Sequence, residues 1–369
     1  MDRKRGTART LSEFPLWFEK ARTAKRLPIN RRTSLFLTVL LLLPMAGRLA
    51  AQGGPVVIRA GHFPNVTHAQ GVIGQAKGWF EKALAPEARV EWKGFNAGPS
   101  VIEAIFSGAL DLAYIGPNPA INGYVRSQGE ALRIIAGATS GGAALVVRAD
   151  SGIAKPEDFR GKKIASPQLG NTQDVALRAW LGAHALRLRE KGGDVAVIPI
   201  ANPDQMTLFL KKEIDGAWAP EPWASRLIQE ANGRLFLDER DLWPGGQFVT
   251  THLIVSAKFL RERRPLLKKW VRAHVELTDW INKNLPEAKR TLNQEIQKET
   301  GKALPVAVLE GSFSRLQVTY DPIRSSLFAS ARAAFEAGFL GWQRPDLSGI
   351  YDLSILNEVL QEKGAKPVP

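Results

Sequence analysis

The chain contains no cysteine. That excludes a disulfide framework, a thiolate zinc site, an iron–sulfur cluster, a cysteine nucleophile and a lipid-bearing N-terminal cysteine. It has few histidines, His62, His68, His184, His252 and His274, and no two lie four residues apart. The HExxH pattern and its zinc chemistry are therefore missing. There is no GxSxG nucleophile elbow and no GxxxxGK[ST] phosphate loop, and Gly94 and Gly98 make no dinucleotide fingerprint. These gaps argue against an α/β-hydrolase, an ATPase and a nicotinamide-dependent oxidoreductase. No catalytic residue, metal ligand or cofactor is assigned. Beyond the N-terminal region no apolar run reaches the ~18 residues that would suggest a membrane span, which excludes a polytopic membrane protein.

Long basic runs are also missing. Lys and Arg total 50 against 36 Asp and Glu, for a net charge of +14. Residues 1–51 carry 11 of the cations and 3 of the anions, so +8 of the excess lies there and 39 − 33 = +6 elsewhere. Nucleic-acid binding needs a concentrated basic stripe, and none is seen.

What is present is a chain of 369 residues, 44% hydrophobic and 23% charged, ordinary for a folded protein. At ~150 residues per domain it holds two or three domains or one large one. Arg31-Arg32 is followed by the apolar stretch Ser34–Ala46, and Leu49-Ala50-Ala51 offers a cleavage site before Gln52. This is the layout of a secretory signal peptide over residues 1–51, and it places the mature protein, unlipidated, in an exported compartment.

Strand–helix alternation follows. Strands are expected at Val56–Ala60, Val90–Lys93, Asp111–Ile115, Leu132–Ala136, Ala144–Arg148, Lys163–Ala165, Val195–Ile200, Gly216–Ala219, Leu235–Leu237 and Leu253–Ser256. Helices are expected at Thr67–Lys82, Pro99–Ser107, Asp174–Leu186 and Pro203–Lys211, then at Lys258–Leu285 and Asp321–Gly338 with no strand between the last two. The alternation implies an α/β protein with largely parallel sheets. Ser107–Ala120 and Lys212–Ala224 echo each other as helix end, apolar-Asp-x-Ala-aromatic strand and proline-rich turn. The echo is either chance or a duplicated lobe.

The chemistry lies in the helix starts that follow strands. Thr67-His68-Ala69-Gln70 and Ser100-Val101-Ile102-Glu103 have the form of capping boxes. Asn118-Pro119, Asn171-Thr172 after Gly170, and Pro222 after Glu221 open further helices. Helix starts expose N–H groups and about half a positive charge, so they bind anions without Lys or Arg. In open parallel sheets they sit where ligands collect, outside the carboxyl ends of the strands. Gly141-Gly142 and Gly170 let backbone approach a ligand closely. His68 is read as a ring donor to a pocket and His252, in an apolar strand, as a core histidine. Trp218, Trp223 and Trp243 either wall a pocket or fill the core.

The order of these segments resembles the substrate-binding proteins of ABC importers, in the nitrate/taurine/aliphatic-sulfonate-binding family. The resemblance rests on Phe95–Ser100, Ser107–Pro119 (SGALDLAYIGPNP), Ser140–Arg148, Phe159–Ala165, Pro167–Thr172 and Ile214–Trp223 (IDGAWAPEPW), and spans about Val56 to Gly338. It implies a two-lobed class II periplasmic-binding-protein fold with a ligand cleft between the lobes. Lobe one would be 56–148 plus 250–345, lobe two 149–249, and 346–369 a C-terminal tail. The crossings would lie near Arg148–Ser151 and Phe248–Thr251. By motif position, the resemblance implies ligand contacts at Asn65, His68, Asn96, Gly98, Pro99, Ser100, Asn118 and Gly142 in lobe one. In lobe two it implies Gly170, Asn171, Thr172, Glu221 and Trp223; Glu221 would hold an amine or point away.

The implied role is a monomeric, periplasmic solute binder that serves an inner-membrane permease and takes a sulfonate or related oxyanion. The alternatives are a binder of a neutral pyrimidine- or flavin-type vitamin precursor, with Trp218 and Trp223 as stacking walls, and a solute-sensing domain of a membrane receptor. A phosphate-ester enzyme using helix dipoles finds no visible acid–base pair to support it.

Overall fold

The computed structural model describes residues Gly54–Pro369; the expected signal segment, 1–51, lies outside them. The described chain builds two β-sheets. The strands are β1 (Val56–His62), β2 (Ala88–Gly94), β3 (Leu112–Ile115), β4 (Leu132–Gly141), β5 (Ala143–Arg148), β6 (Lys163–Ser166), β7 (Ala196–Pro199), β8 (Gly216–Pro220), β9 (Gly233–Asp238), β10 (Val249–Ser256) and β11 (Leu316–Val318). One sheet has the order β11-β4-β10-β3-β1-β2 and the other β7-β6-β8-β5-β9. Leaving out β11, the two orders are the same, with one antiparallel strand, β10 or β5, inserted between the third and fourth. The echoed segments are β3 and β8, each the third strand of its sheet, so the sequence echo marks structurally equivalent positions.

The ten expected strands form; the central ones are apolar and buried, while the edge strands β2 and β9 carry charged residues. β3 and β10 are buried at every residue. β11 was not anticipated: three residues pairing with Thr139–Gly141 are too short to show a period. Several expected helices are divided. Gly78, at φ +57°, splits Thr67–Lys82 into Ala69–Lys77 and Trp79–Leu84. Pro265 and Pro286 start new helices, Arg264–Lys283 and Leu285–Thr300, because a proline supplies no N–H to the turn before it.

Two expectations about the course of the chain are corrected. β5 belongs to the five-stranded sheet, so the chain passes from one sheet to the other at Gly141-Gly142 and not near Arg148–Ser151. Both glycines have positive φ, and a Cβ on Gly141 would stand 2.5 Å from the Arg315 carbonyl oxygen. The Gly142 N–H donates to that same carbonyl at 2.8 Å. Residues 346–369 are also not a free tail. The helix Ser354–Glu362 buries Ile355, Leu356, Val359 and Leu360 in the core of the six-stranded lobe, an apolar stripe at helical spacing.

Candidate functional site

The carboxyl ends of β1, β2, β3 and β8, with the returning strand β10, converge on a polar cavity between the lobes. Its six-stranded side is formed by Phe63, Asn65, Thr67, His68 and Asn96 after β1 and β2, by Gly116 after β3, and by Thr250 and Thr251 of β10. The other side is formed by Asn171, Thr172 and Gln173 at one helix start, Asn202 at another, and Pro220 at the end of β8. The lobes are close: a Cβ on Gly116 would stand 2.3 Å from Thr172 Oγ1. The Trp223 indole donates to Asn65 Oδ1 across the cleft at 3.1 Å. The open space is about 20 Å³, room for little more than a water.

No Lys, Arg, Asp or Glu lines this cavity. His68 is its one ionisable side chain. The His68 ring stacks on Phe63 at 4.3 Å, and its Nδ1 accepts the Phe63 N–H at 3.4 Å. Burial, with His62 nearby, holds its pKa well below the ordinary value. His68 is therefore neutral with its proton on Nε2, a hydrogen-bond donor rather than a cation.

Three buried side-chain atoms around the cavity have no partner in the fold: Thr172 Oγ1, Thr251 Oγ1 and Asn202 Oδ1. A buried polar atom left unpaired costs about 1–3 kcal/mol, so three around one cavity require explanation. The helix starts at the cavity carry no side-chain caps. Both expected capping boxes are absent. Gln70 turns inward to the Ala138 carbonyl at 2.8 Å, and Ser100 is an exposed third residue of the helix Gly98–Phe106. The helices at Gly98, Pro117, Thr172 and Asn202 have N-cap residues Ala97, Gly116, Asn171 and Ala201, and none supplies a side-chain cap. The same is true of the other described α-helices except one, which Ser256 caps through the Phe259 N–H at 3.2 Å. Prolines remove donors from the first turns at Gly98, Pro117 and Asn202. The Thr172 helix has no proline in its first turn and keeps all its donors.

Of the residues expected at the ligand, the structure brings Asn65, His68, Asn96, Asn171 and Thr172 to this cavity. Trp223 reaches its edge through Asn65. The others serve different ends. A Cβ on Gly98 would meet Pro119 at 2.2 Å, so Gly98 and Pro99 pack one helix start against the next. Asn118 Nδ2 donates to the Ser330 carbonyl at 3.3 Å and lines a neighbouring apolar cavity. Gly142 is at the sheet-to-sheet crossing, where its carbonyl accepts the Glu221 N–H at 2.9 Å. Gly170 donates its N–H to Asp174 Oδ2 at 2.9 Å and lies beside Phe339. Trp218 is fully buried in the core of the five-stranded lobe, donating to Glu239 Oε2 at 2.7 Å. It is no wall of the cleft. Glu221 points away from the cavity; Ser225, Ser312 and Arg315 occupy its carboxylate.

Sequence reading missed Asn202, although Asn202-Pro203 repeats the pattern of Asn118-Pro119. It also missed Thr250 and Thr251, which carry no local signal because they lie within a strand that returns from the other lobe.

The chain matches the NMT1-like family over residues 51–296. The taurine-binding periplasmic protein of Escherichia coli is 25% identical over 207 residues, 55% of this chain, and the match spans 60% of that protein's length. A putative aliphatic sulfonates-binding protein of Bacillus subtilis is 24% identical over 79% of this chain and 85% of its own. Among solved structures, the alkanesulfonate-binding protein of Xanthomonas axonopodis pv. citri bound to MOPS superposes with a TM-score of 0.67 at 20% identity, covering 81% of this chain and 99% of that one. The periplasmic nitrate-binding protein of Synechocystis gives 0.66 at 15% identity, over 84% and 89%. The relatives and neighbours named here are binding proteins, and the fold is the two-lobed α/β fold they share. With two matching sheets about one cleft and a family match over most of its length, the chain belongs to the NMT1-like family.

Proposed function

We propose that the protein is the extracytoplasmic solute-binding component of an ABC importer and takes a small sulfonate or related oxyanion between its lobes. The observation that carries this reading is the unfilled polar cavity. Thr172 Oγ1, Thr251 Oγ1 and Asn202 Oδ1 lack partners, and two of these residues, Thr172 and Asn202, are the first residues of helices. Hydroxyls and first-turn N–H groups suit an anion's oxygens, and the Thr172 helix adds the positive end of its dipole. The absence of ionised side chains from the lining leaves recognition to neutral donors. The acceptor Asn202 Oδ1 then takes a proton-bearing group or turns its amide to the anion. The names of the sulfonate- and nitrate-binding relatives point the same way. The two sheets with their helices act as lobes that hinge at Gly141-Gly142 and in the segment before Val249, and a permease in the inner membrane receives the loaded protein. Trp218, fully buried, removes one of the two stacking walls that a neutral pyrimidine or flavin would need.

The test is a thermal-melt panel of taurine, alkanesulfonates, nitrate and sulfate against neutral pyrimidines and flavins. A cognate ligand at 100 times its Kd adds about 2.7 kcal/mol of stability. Thr172→Val then checks the grip. A hydrogen bond to a charged group is worth about 1.5–3 kcal/mol, so affinity should fall by roughly one to two decades. Stability should hold, because Oγ1 makes no bond within the fold. Binding of the neutral compounds alone would reject the oxyanion reading.

A further inference from the structure

A second cavity opens beside the polar one. It lies between the helix Thr172–Ala183 of one lobe, the helix Arg324–Glu336 of the other, and the segment Glu239–Phe248. Asn118 lines it, and Thr172 borders both cavities. Its volume is about 290 Å³. An apolar protein cavity of about 150 Å³ holds a benzene molecule, so this one has room for an aromatic ring with a substituent.

Its size follows from small side chains. Val175, Ala176, Ala179 and Ala183 lie on one face of the Thr172 helix, at spacings of three, four, seven and eleven from Thr172. Ala329 and Ala333 face them from the other lobe. A leucine in place of any of these alanines would narrow the gap. The far wall is aromatic: Trp243 stacks on Phe248 with ring centroids 5.4 Å apart and planes 13° from parallel.

Resting on the oxyanion reading, we propose that the ligand carries an apolar body, an aryl or longer alkyl group, which lies in this cavity while its oxyanion is held at the Thr172 end. The unpartnered Thr172 Oγ1 at the junction joins the two halves of the site. An ion as small as nitrate uses only the polar half and leaves the aromatic wall without an occupant.

The experiment is a titration of the exported protein with methanesulfonate, hexanesulfonate and benzenesulfonate, repeated on Ala179→Leu and Ala333→Leu. These two variants narrow the cavity from opposite lobes, and thermal melts verify their folding. Benzenesulfonate and hexanesulfonate should bind at least tenfold more tightly than methanesulfonate, as expected for burying an apolar group of that size. Either leucine should reduce that preference at least tenfold. If affinity does not change with the size of the apolar group, or if the leucines weaken all three ligands equally, the body does not lie here, although the oxyanion site stands. If no oxyanion binds the wild-type protein, the oxyanion reading fails and this inference fails with it.

Discussion

Glu221 is fully buried, and its oxygens accept from the Ser225 N–H and hydroxyl at 3.0 Å each, the Ser312 hydroxyl at 3.0 Å and the Arg315 guanidinium at 3.3 Å. Burial pushes its pKa up, and Arg315 opposes the shift. The carboxylate thus fastens the start of the helix Trp223–Glu230 to a segment that joins the other sheet, close to the crossing at Gly142. Breaking one side of a buried ion pair costs about 3–5 kcal/mol. Glu221→Ala should therefore show a loss of that order in denaturant titration, with ligand affinity changed little in the folded fraction. Intact stability with lost affinity would return Glu221 to the ligand. Glu239 presents the other outcome of burial. Its pKa is pushed up from 4.5 to about 7 by desolvation, against the Trp218 N–H that favours the charged form. In the folded protein it holds its proton where the unfolded chain has lost it, so its contribution is full below about pH 4.5 and disappears as pH rises through 7. The shift corresponds to about 3 kcal/mol. Between pH 7 and 4.5 the wild type should gain stability relative to Glu239→Gln by up to that amount; parallel curves would count against a buried, protonated Glu239.

At the scale of the element, what sets the cleft helix starts apart is how closely they meet: Gly116 before one and Thr172 at the start of another approach across the lobes. Gly116 has φ −67° and ψ 157°, which alanine adopts without strain. The added methyl would nevertheless stand 2.3 Å from Thr172 Oγ1 of the opposite lobe. Gly116→Ala should thus leave the unliganded protein stable when the lobes are apart, yet weaken ligand binding tenfold or more, as read by calorimetry beside thermal melts. Unchanged affinity would mean that the lobes do not need this approach. The central strands were readable at this scale because short, β-branched, apolar runs such as those of β3 and β10 leave no other period. The capping boxes were misread because a side chain near a helix start has rivals for its bonds: Gln70 finds the Ala138 and Thr319 carbonyls and the Thr278 hydroxyl in the core. Those partners are 68 to 249 residues away, beyond any local pattern.

For the whole molecule, about 20 Å³ in the polar cavity is too little for a sulfonate to enter with the lobes as close as they are. Entry requires them to part, which breaks the Trp223–Asn65 bond. Small-angle scattering should show the protein more compact with a bound ligand than without; identical curves with a ligand shown to bind would reject hinge closure. Acid should unfold the molecule early. His252 and His274 are fully buried with pKa values held down to about 4 by desolvation. As pH falls from 6.5 towards 4 the unfolded chain takes up protons that the folded chain refuses. Each histidine then removes up to about 3 kcal/mol, together more than Glu239 restores. Stability measured by denaturant should be lower at pH 5 than at pH 7, and equal values would contradict the neutral, buried histidines.

The amino-acid order alone was enough for the strand positions, the α/β class, the paired third strands β3 and β8, and the family, because each is built from local patterns about a dozen residues long, read in their order along the chain. It was also enough to bring Asn171 and Thr172 forward, since they directly follow a strand and Gly170. The use of each side chain was another matter. Trp218 and Trp223 stand five residues apart, yet one is core and the other reaches Asn65 across the cleft. Glu221 looks like a ligand contact until Ser312 and Arg315 arrive from ninety residues downstream. Thr250 and Thr251 line the polar cavity only because β10 returns to pair between β3 and β4. Burial and partnership are set by which surfaces meet when the sheets and helices pack, and no stretch of sequence contains both halves of a contact made across a cleft.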